Sequence, residues 1–109
     1  MGAATRLMIF MADDDRVNGQ PLHEHLLARA RQLPLAGATM WRGIEGYGRS
    51  RLLRTNRLSD ANTGLPMVME AIDAPDRITA FLRDVDGIVG DALITLESVV
   101  IVDATPPAP

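Results

Sequence analysis

The chain contains no cysteine, and all eleven of its basic residues are arginine. The first absence excludes disulfides, thiolate zinc sites, iron–sulfur clusters and cysteine nucleophiles. The second excludes a Schiff-base lysine, a lysine general base and the phosphate-binding lysine of a P-loop. Long hydrophobic runs are also missing. The longest, Leu7 to Ala12, is far too short to span a bilayer. The N-terminal residues lack the basic region and apolar stretch of a secretory signal. The expectation is a soluble, cytoplasmic protein.

What is present is an acidic body carrying one basic segment. The net charge is -3. Between Arg42 and Asp60, however, Arg42, Arg49, Arg51, Arg54 and Arg57 face only Glu45 and Asp60, a local +5 - 2 = +3, so the remainder carries -6. This distribution argues against a general nucleic-acid surface and for an anion or an acidic partner met at one loop. With 109 residues the chain fits one domain, which at this size buries roughly two-thirds of the surface exposed by its unfolded form.

Thr5 to Ala12 reads as a strand apolar on both faces, closed by the acidic turn Asp13-Asp14-Asp15. Pro21 suits the first turn of a helix whose stripe is Leu22, Leu26, Ala30 and Leu33, widened by Leu27 and ended by Pro34 and Gly37. Thr39 to Ile44 is a second strand. Gly43, Gly46 and Gly48 then interrupt any periodicity, which predicts a long mobile loop. Leu65 to Ile72 is a third strand, followed by a helix with Asp73 as N-cap, Pro75 in its first turn, Asp76 at its third position and the stripe Ile78, Phe81, Leu82, Val85 and Ile88. After Gly87 and Gly90, Leu93 to Leu96 and Val99 to Val102 supply a last strand or a bent pair. The Pro-rich tail 104–109 reads as disordered. This order is βαββαβ, an α+β ferredoxin-like sandwich in residues 1–103, with two helices on one face of an antiparallel sheet. An uncovered face built from two-sided apolar strands predicts self-association.

Asp15-Arg16, Gly19, Pro21-Leu22, Ala36-Gly37-Ala38-Thr39, Arg42-Gly43-Ile44, Gly46-Tyr47-Gly48, Leu65-Pro66 and Leu93-Ile94-Thr95-Leu96-Glu97 resemble the bacterial family of domain of unknown function 190 over residues 5 to 103. That family is similar to the PII signalling proteins. The resemblance implies a homotrimer that binds an adenine nucleotide or another small anion between subunits. It also implies a T-loop, about 46–63 here, that is shown to a partner protein, with a membrane transporter or fluoride channel as that partner. Glu45-Gly46-Tyr47-Gly48-Arg49 resembles the base of the T-loop, and Gly87-Ile88-Val89-Gly90-Asp91 resembles the loop after the second helix. Leu93, Ile101 and Asp103 stand where the family of PII proteins has basic residues, which speaks against a triphosphate held in the PII manner.

The candidate ligand site is thus Thr39, Arg42, Gly43, Gly46, Tyr47, Gly48 and Arg49 of one subunit against Gly87, Gly90 and Asp91 of its neighbour. Glycine amides and bidentate arginines suit an anion there. Arg51, Arg54 and Arg57 form the candidate partner-binding loop, with a solvated lid as the bland alternative. His23 and His25, two apart on a helix, cannot clamp one metal ion and should face solvent. Met8, Met11, Met40, Met67 and Met69 suit packing better than copper. Asp13-Asp14-Asp15 reads as a solvated turn, and Glu70 within an apolar strand requires an arginine partner, placed across a subunit interface. No catalytic residue, metal or cofactor is assigned. A small enzyme using the cleft and a metal-tolerance protein similar to the copper-tolerance relatives of PII are the alternatives.

Overall fold

The computed structural model describes residues 2–55 and 64–103. Along the chain it forms β1 (Gly2–Ala12), β2 (Arg16–Val17), β3 (Gln20–Pro21), α1 (Leu22–Gln32), β4 (Gly37–Arg42), β5 (Glu45–Gly46), β6 (Arg54–Thr55), β7 (Pro66–Asp73), α2 (Pro75–Val85) and β8 (Leu93–Ile101). β4, β7, β1 and β8 make one antiparallel sheet in that spatial order, the ferredoxin-like arrangement. Two small hairpins, β2–β3 and β5–β6, are added to it. The first turns at Asn18 and Gly19, with φ of 50° and 79°. Asn-Gly is the dipeptide that tolerates two successive positive φ values, so this hairpin had a sequence signal.

Strand alternation sorts the core. Leu7, Ile9, Met69 and Ala71 project to the face covered by both helices, where they are buried against Leu22, Leu26 and Ala30 of α1 and Ile78, Phe81 and Val85 of α2. Burying one such side chain stabilises the fold by about 1.5–3 kcal/mol. Met67 and Met69 are buried, and Met11 and Met40 pack at the margin of the core. These methionines fill space. On the opposite face, register places Trp41, Val68, Phe10 and Leu93 in one row across the four strands. Neither helix covers that face: Trp41 there is 41% exposed and Leu93 37%, while Val68 is buried.

Glu70 does have an arginine partner, but within its own chain. Arg6 Nε lies 2.6 Å from Glu70 Oε2, and Arg6 Nη1 lies 3.3 Å from Glu97 Oε1. The Arg6 Nε hydrogen is not aligned on an acceptor, so the close contact with Glu70 is one of charge rather than a well-formed hydrogen bond. Diagonal reach across the β1–β7 ladder removes any need for a second subunit.

Asp73 is not the N-cap of α2. It is the last residue of β7, Ala74 is the cap and Pro75 opens the helix. The buried Asp73 carboxylate instead accepts the amides of Ala36 at 2.9 Å and Ala74 at 2.7 Å and the Arg77 Nε at 2.8 Å. Arg77 also donates to the carbonyls of Leu33 and Pro34. Burial alone would raise the Asp73 pKa, but the hydrogen bonds from Ala74, Arg77 and Ala36 outweigh it and hold the group below the usual carboxylate range. Between the helices, Arg29 Nε and Nη2 grip the Asp84 carboxylate at 2.6 and 2.8 Å. That bidentate pair lowers Asp84 and raises Arg29. His23 and His25 on α1 are half-buried rather than solvent-facing. No helix among the described residues is long and apolar enough to cross a membrane.

Candidate functional site

The ends of the strands build a pocket of about 400 Å³ at one end of the sheet. β1 contributes Phe10 to Ala12 and β7 contributes Pro66 to Val68, which together give an apolar floor. The connection after β4 brings Gly43 and Glu45 to Ser50 over that floor, β6 brings Arg54, and the approach to β8 brings Asp91 and Ala92. Small-molecule sites are mostly apolar concavities with a few convergent polar groups, and this volume lies at the lower end of their range.

Gly43, Gly46, Tyr47, Gly48, Arg49 and Asp91 therefore line one pocket within a single chain. Thr39 does not join them: it lies on the open sheet face opposite Glu70. Arg42 is not in the lining either, and its Nε donates to Asp13 Oδ2 at 2.9 Å. Gly87 and Gly90 lie in the turn before Asp91, outside the lining. The glycines differ in what they leave available. Gly43 donates its amide to Pro66 O at 2.7 Å, and a Cβ there would meet the proline ring at 3.2 Å. Its task is close packing. Gly48 has open space around it. Tyr47, 72% exposed, presents a ring beside the apolar floor.

Between Gly46 and Thr55 the chain is not one irregular loop. Glu45–Gly46 pairs with Arg54–Thr55, and the tip turns through Arg51, whose φ is 59° and whose amide donates to Gly48 O at 2.9 Å. Arg51 is exposed in this turn, Arg54 belongs to the short ladder, and Arg57 lies outside the described residues together with the rest of 56–63. The tail 104–109 also lies outside them.

The acidic turn is the largest departure from the sequence reading. Asp13, whose side chain is 7% exposed, accepts the amides of Gly64 at 2.7 Å and Leu65 at 3.0 Å on Oδ1 while Oδ2 holds Arg42. Asp14 Oδ1 lies 3.3 Å from Arg54 Nη1, and Asp15 Oδ2 accepts the Ala12 amide at 3.0 Å. Asp13 thus ties Arg42 to Gly64 and Leu65 across the two roots of the long connection, Asp14 adds Arg54 while its side chain stays 50% exposed, and Asp15 shapes the turn itself. Gly64 completes the clamp. Its φ is +75°, and a Cβ would stand 2.7 Å from Arg54 Nη1, so a side chain would disturb both backbone and ion pair. Among the described residues no group of three or more His, Cys, Asp or Glu is placed to hold a metal ion.

The chain resembles proteins of known sequence and structure along most of its length. It is 38% identical over 96 residues to a UPF0166 protein of Aquifex aeolicus (strain VF5), covering 88% of this chain and 90% of that protein. It is 28% identical over 76 residues to a UPF0166 protein of Methanocaldococcus jannaschii, covering 70% of this chain and 69% of the relative. Among solved structures, CPII of Thiomonas intermedia K12 bound to ADP and bicarbonate superposes with a TM-score of 0.64 at 14% identity, covering 90% of this chain and 87% of CPII. CPII is a nitrogen regulatory PII-like protein. The model of the DUF190 family, described as "Uncharacterized ACR", matches residues 4–101. The fold is thus similar to that of CPII, and with the family match running through both helices and all four strands of the main sheet, the chain belongs to the DUF190 family.

Proposed function

We propose that the protein is a PII-like regulator, not an enzyme, which binds a small anionic or adenine-nucleotide ligand in this pocket. It relays occupancy through the segment 46–63 to a partner protein. The observation that carries the reading is the convergence of Tyr47, Gly48 and Arg49 with Asp91 over an apolar floor, at the root of the Arg-rich segment. Arg49 makes no ion pair among the described residues, which leaves its guanidinium available for a ligand. Among the described residues the lining holds no histidine, and its one serine hydroxyl accepts the Leu52 amide at 3.4 Å, which supports a binding site over a catalytic one. The ADP-bound state of CPII supports an adenine nucleotide as the first ligand to test. Trp41 and Leu93, exposed on the sheet face that neither helix covers, support a homotrimer closed over that face, placing the pockets near the subunit boundaries. A cytoplasmic protein acting on a membrane transporter or fluoride channel is the setting implied by the family resemblance.

A thermal-shift screen against adenine nucleotides, cyclic dinucleotides, S-adenosylmethionine and simple anions tests the reading, since a ligand bound only to the native state raises apparent stability. Calorimetry on Arg49→Ala follows with the best ligand. Loss of one charge-assisted contact should weaken binding by about 1.5–3 kcal/mol, roughly ten- to a hundredfold, with the melting temperature of the free protein unchanged. Unchanged affinity in Arg49→Ala would put the ligand elsewhere. Turnover of any screened compound would favour the enzyme.

A further inference from the structure

The lining of the pocket carries more acid than an anion-binding site requires. Arg49 and Arg54 are its cations, but Arg54 Nη1 already meets Asp14 Oδ1 at 3.3 Å. Against them stand Asp15 and Asp91, with Glu45, which is engaged within the chain, left out of the count. The chain has no lysine, and Leu93, next to the lining residue Ala92, adds no charge. One guanidinium thus remains for an incoming anion while two carboxylates face the same space.

A first phosphate on a ligand is matched by Arg49 and the open backbone at Gly48. Among the described residues of the chain's own lining, a second or third phosphate meets no further unpaired cation and adds its charge beside Asp15 and Asp91. At separations of several ångström and an effective dielectric between protein and water, each added charge costs about 1 kcal/mol, or roughly three- to tenfold in affinity. The apolar floor of Phe10, Pro66 and Met67 and the exposed ring of Tyr47 offer contacts to a flat, uncharged ring instead. We infer that the pocket favours a nucleoside monophosphate over di- and triphosphates, with Asp91 as the residue that sets the preference. This rests on the pocket being the ligand site, as proposed above.

Asp91 is the better discriminator of the two carboxylates. Asp15 Oδ2 holds the Ala12 amide and shapes the turn, whereas Asp91 is exposed and makes no hydrogen bond or ion pair among the described residues. Its neutralisation should leave the fold intact.

The test is calorimetry with adenosine, AMP, ADP and ATP at low ionic strength without magnesium, on the wild-type protein and on Asp91→Asn. The expected order is AMP tighter than ADP and ADP tighter than ATP, by about threefold or more at each step, with Asp91→Asn improving ADP relative to AMP by about threefold or more. Affinity rising from AMP to ATP in the wild-type protein would overturn the charge preference while leaving the pocket as the ligand site. A decreasing series that Asp91→Asn does not move would remove Asp91 from the role. If none of the four binds, the reading of the pocket as a nucleotide site falls and this inference falls with it.

Discussion

The two ends of the sheet carry the same hardware and spend it differently. At one end Asp73 gathers Ala36, Ala74 and Arg77, and Arg77 goes on to the carbonyls that close α1. Each of these groups has its partner inside the chain. At the other end Asp13 gathers Gly64, Leu65 and Arg42 in the same manner. Around that second hub, however, Tyr47, Arg49 and Asp91 line a cavity without being consumed by the fold. A buried carboxylate with backbone amides and an arginine is evidently a joint. The surplus beside one joint, and not the joint itself, marks the working end of the molecule.

The comparison breaks most visibly at the closed end. Asp73→Ala leaves the amides of Ala36 and Ala74 and the Arg77 guanidinium without their acceptor and should destabilise the protein by about 3 kcal/mol in urea unfolding. Ligand affinity should not move, because nothing at that end reaches the pocket. The same residue shapes the acid limb of stability. Asp73 and Asp84 are both held below the ordinary carboxylate value of about 3.9. Their contribution is therefore fully present above that value and is lost as pH falls through the lowered folded-state values. Asp73→Asn should flatten the decline of stability below about pH 4 relative to wild type. An acid limb identical in the two proteins would show that the hydrogen bonds of Asp73 do not persist in solution.

At the open end the expected effect on stability is smaller and the effect on the connection larger. Asp13→Ala should cost about 2 kcal/mol, since Arg42 can return to water while the amides of Gly64 and Leu65 lose their acceptor. Hydrogen exchange at Gly64 and Leu65 should accelerate by at least tenfold, with the core strands unaffected. If exchange rises uniformly along β1 and β7 instead, Asp13 supports the sheet rather than the roots of the connection, and the contrast between the two ends narrows.

Much of the frame was legible because periodicity reports burial. The helix stripes of Leu22, Leu26, Ala30 and of Ile78, Phe81, Val85 face the core, and the strands around Leu7 and Met69 lie where alternation and length place them. Tyr47, Gly48, Arg49 and Asp91 meet at one pocket, although they were paired across a subunit boundary in the sequence reading and the structure joins them within one chain. In the acidic turn Asp13 departs from a solvated role, and Asp14 does not, for a physical reason. Consecutive aspartates look solvated until the amides they accept are known, and Gly64 and Leu65 are fifty residues away along the chain. The partner of Glu70 was placed in another subunit because Arg6 and Glu70 meet only through strand register, which composition does not report. Asn18-Gly19 was a missed local signal rather than a hidden one.

The smallest expected effect gives the sharpest test of the surplus. Leu93 lies opposite Phe10 in the β1–β8 ladder, is 37% exposed, and directly follows the lining residue Ala92. It also stands where the resemblance to PII proteins calls for a lysine. Leu93→Lys costs little in stability, because a partly exposed side chain is exchanged for one with an apolar stem and a solvated head, and a change within about 0.5 kcal/mol is expected. The ammonium has enough reach to offset Asp91 at the edge of the pocket. Its gain should grow with the number of phosphates offered: negligible for adenosine, modest for AMP and roughly three- to tenfold for ADP. Such a gradient in calorimetry would mean that the working end is PII-like in shape and differs only in charge. Equal gains for adenosine and ADP would point to altered packing near Phe10 rather than electrostatics. No gain for any of them would separate the edge of β8 from the ligand and confine the site to the segment 43–54 and the floor beneath it.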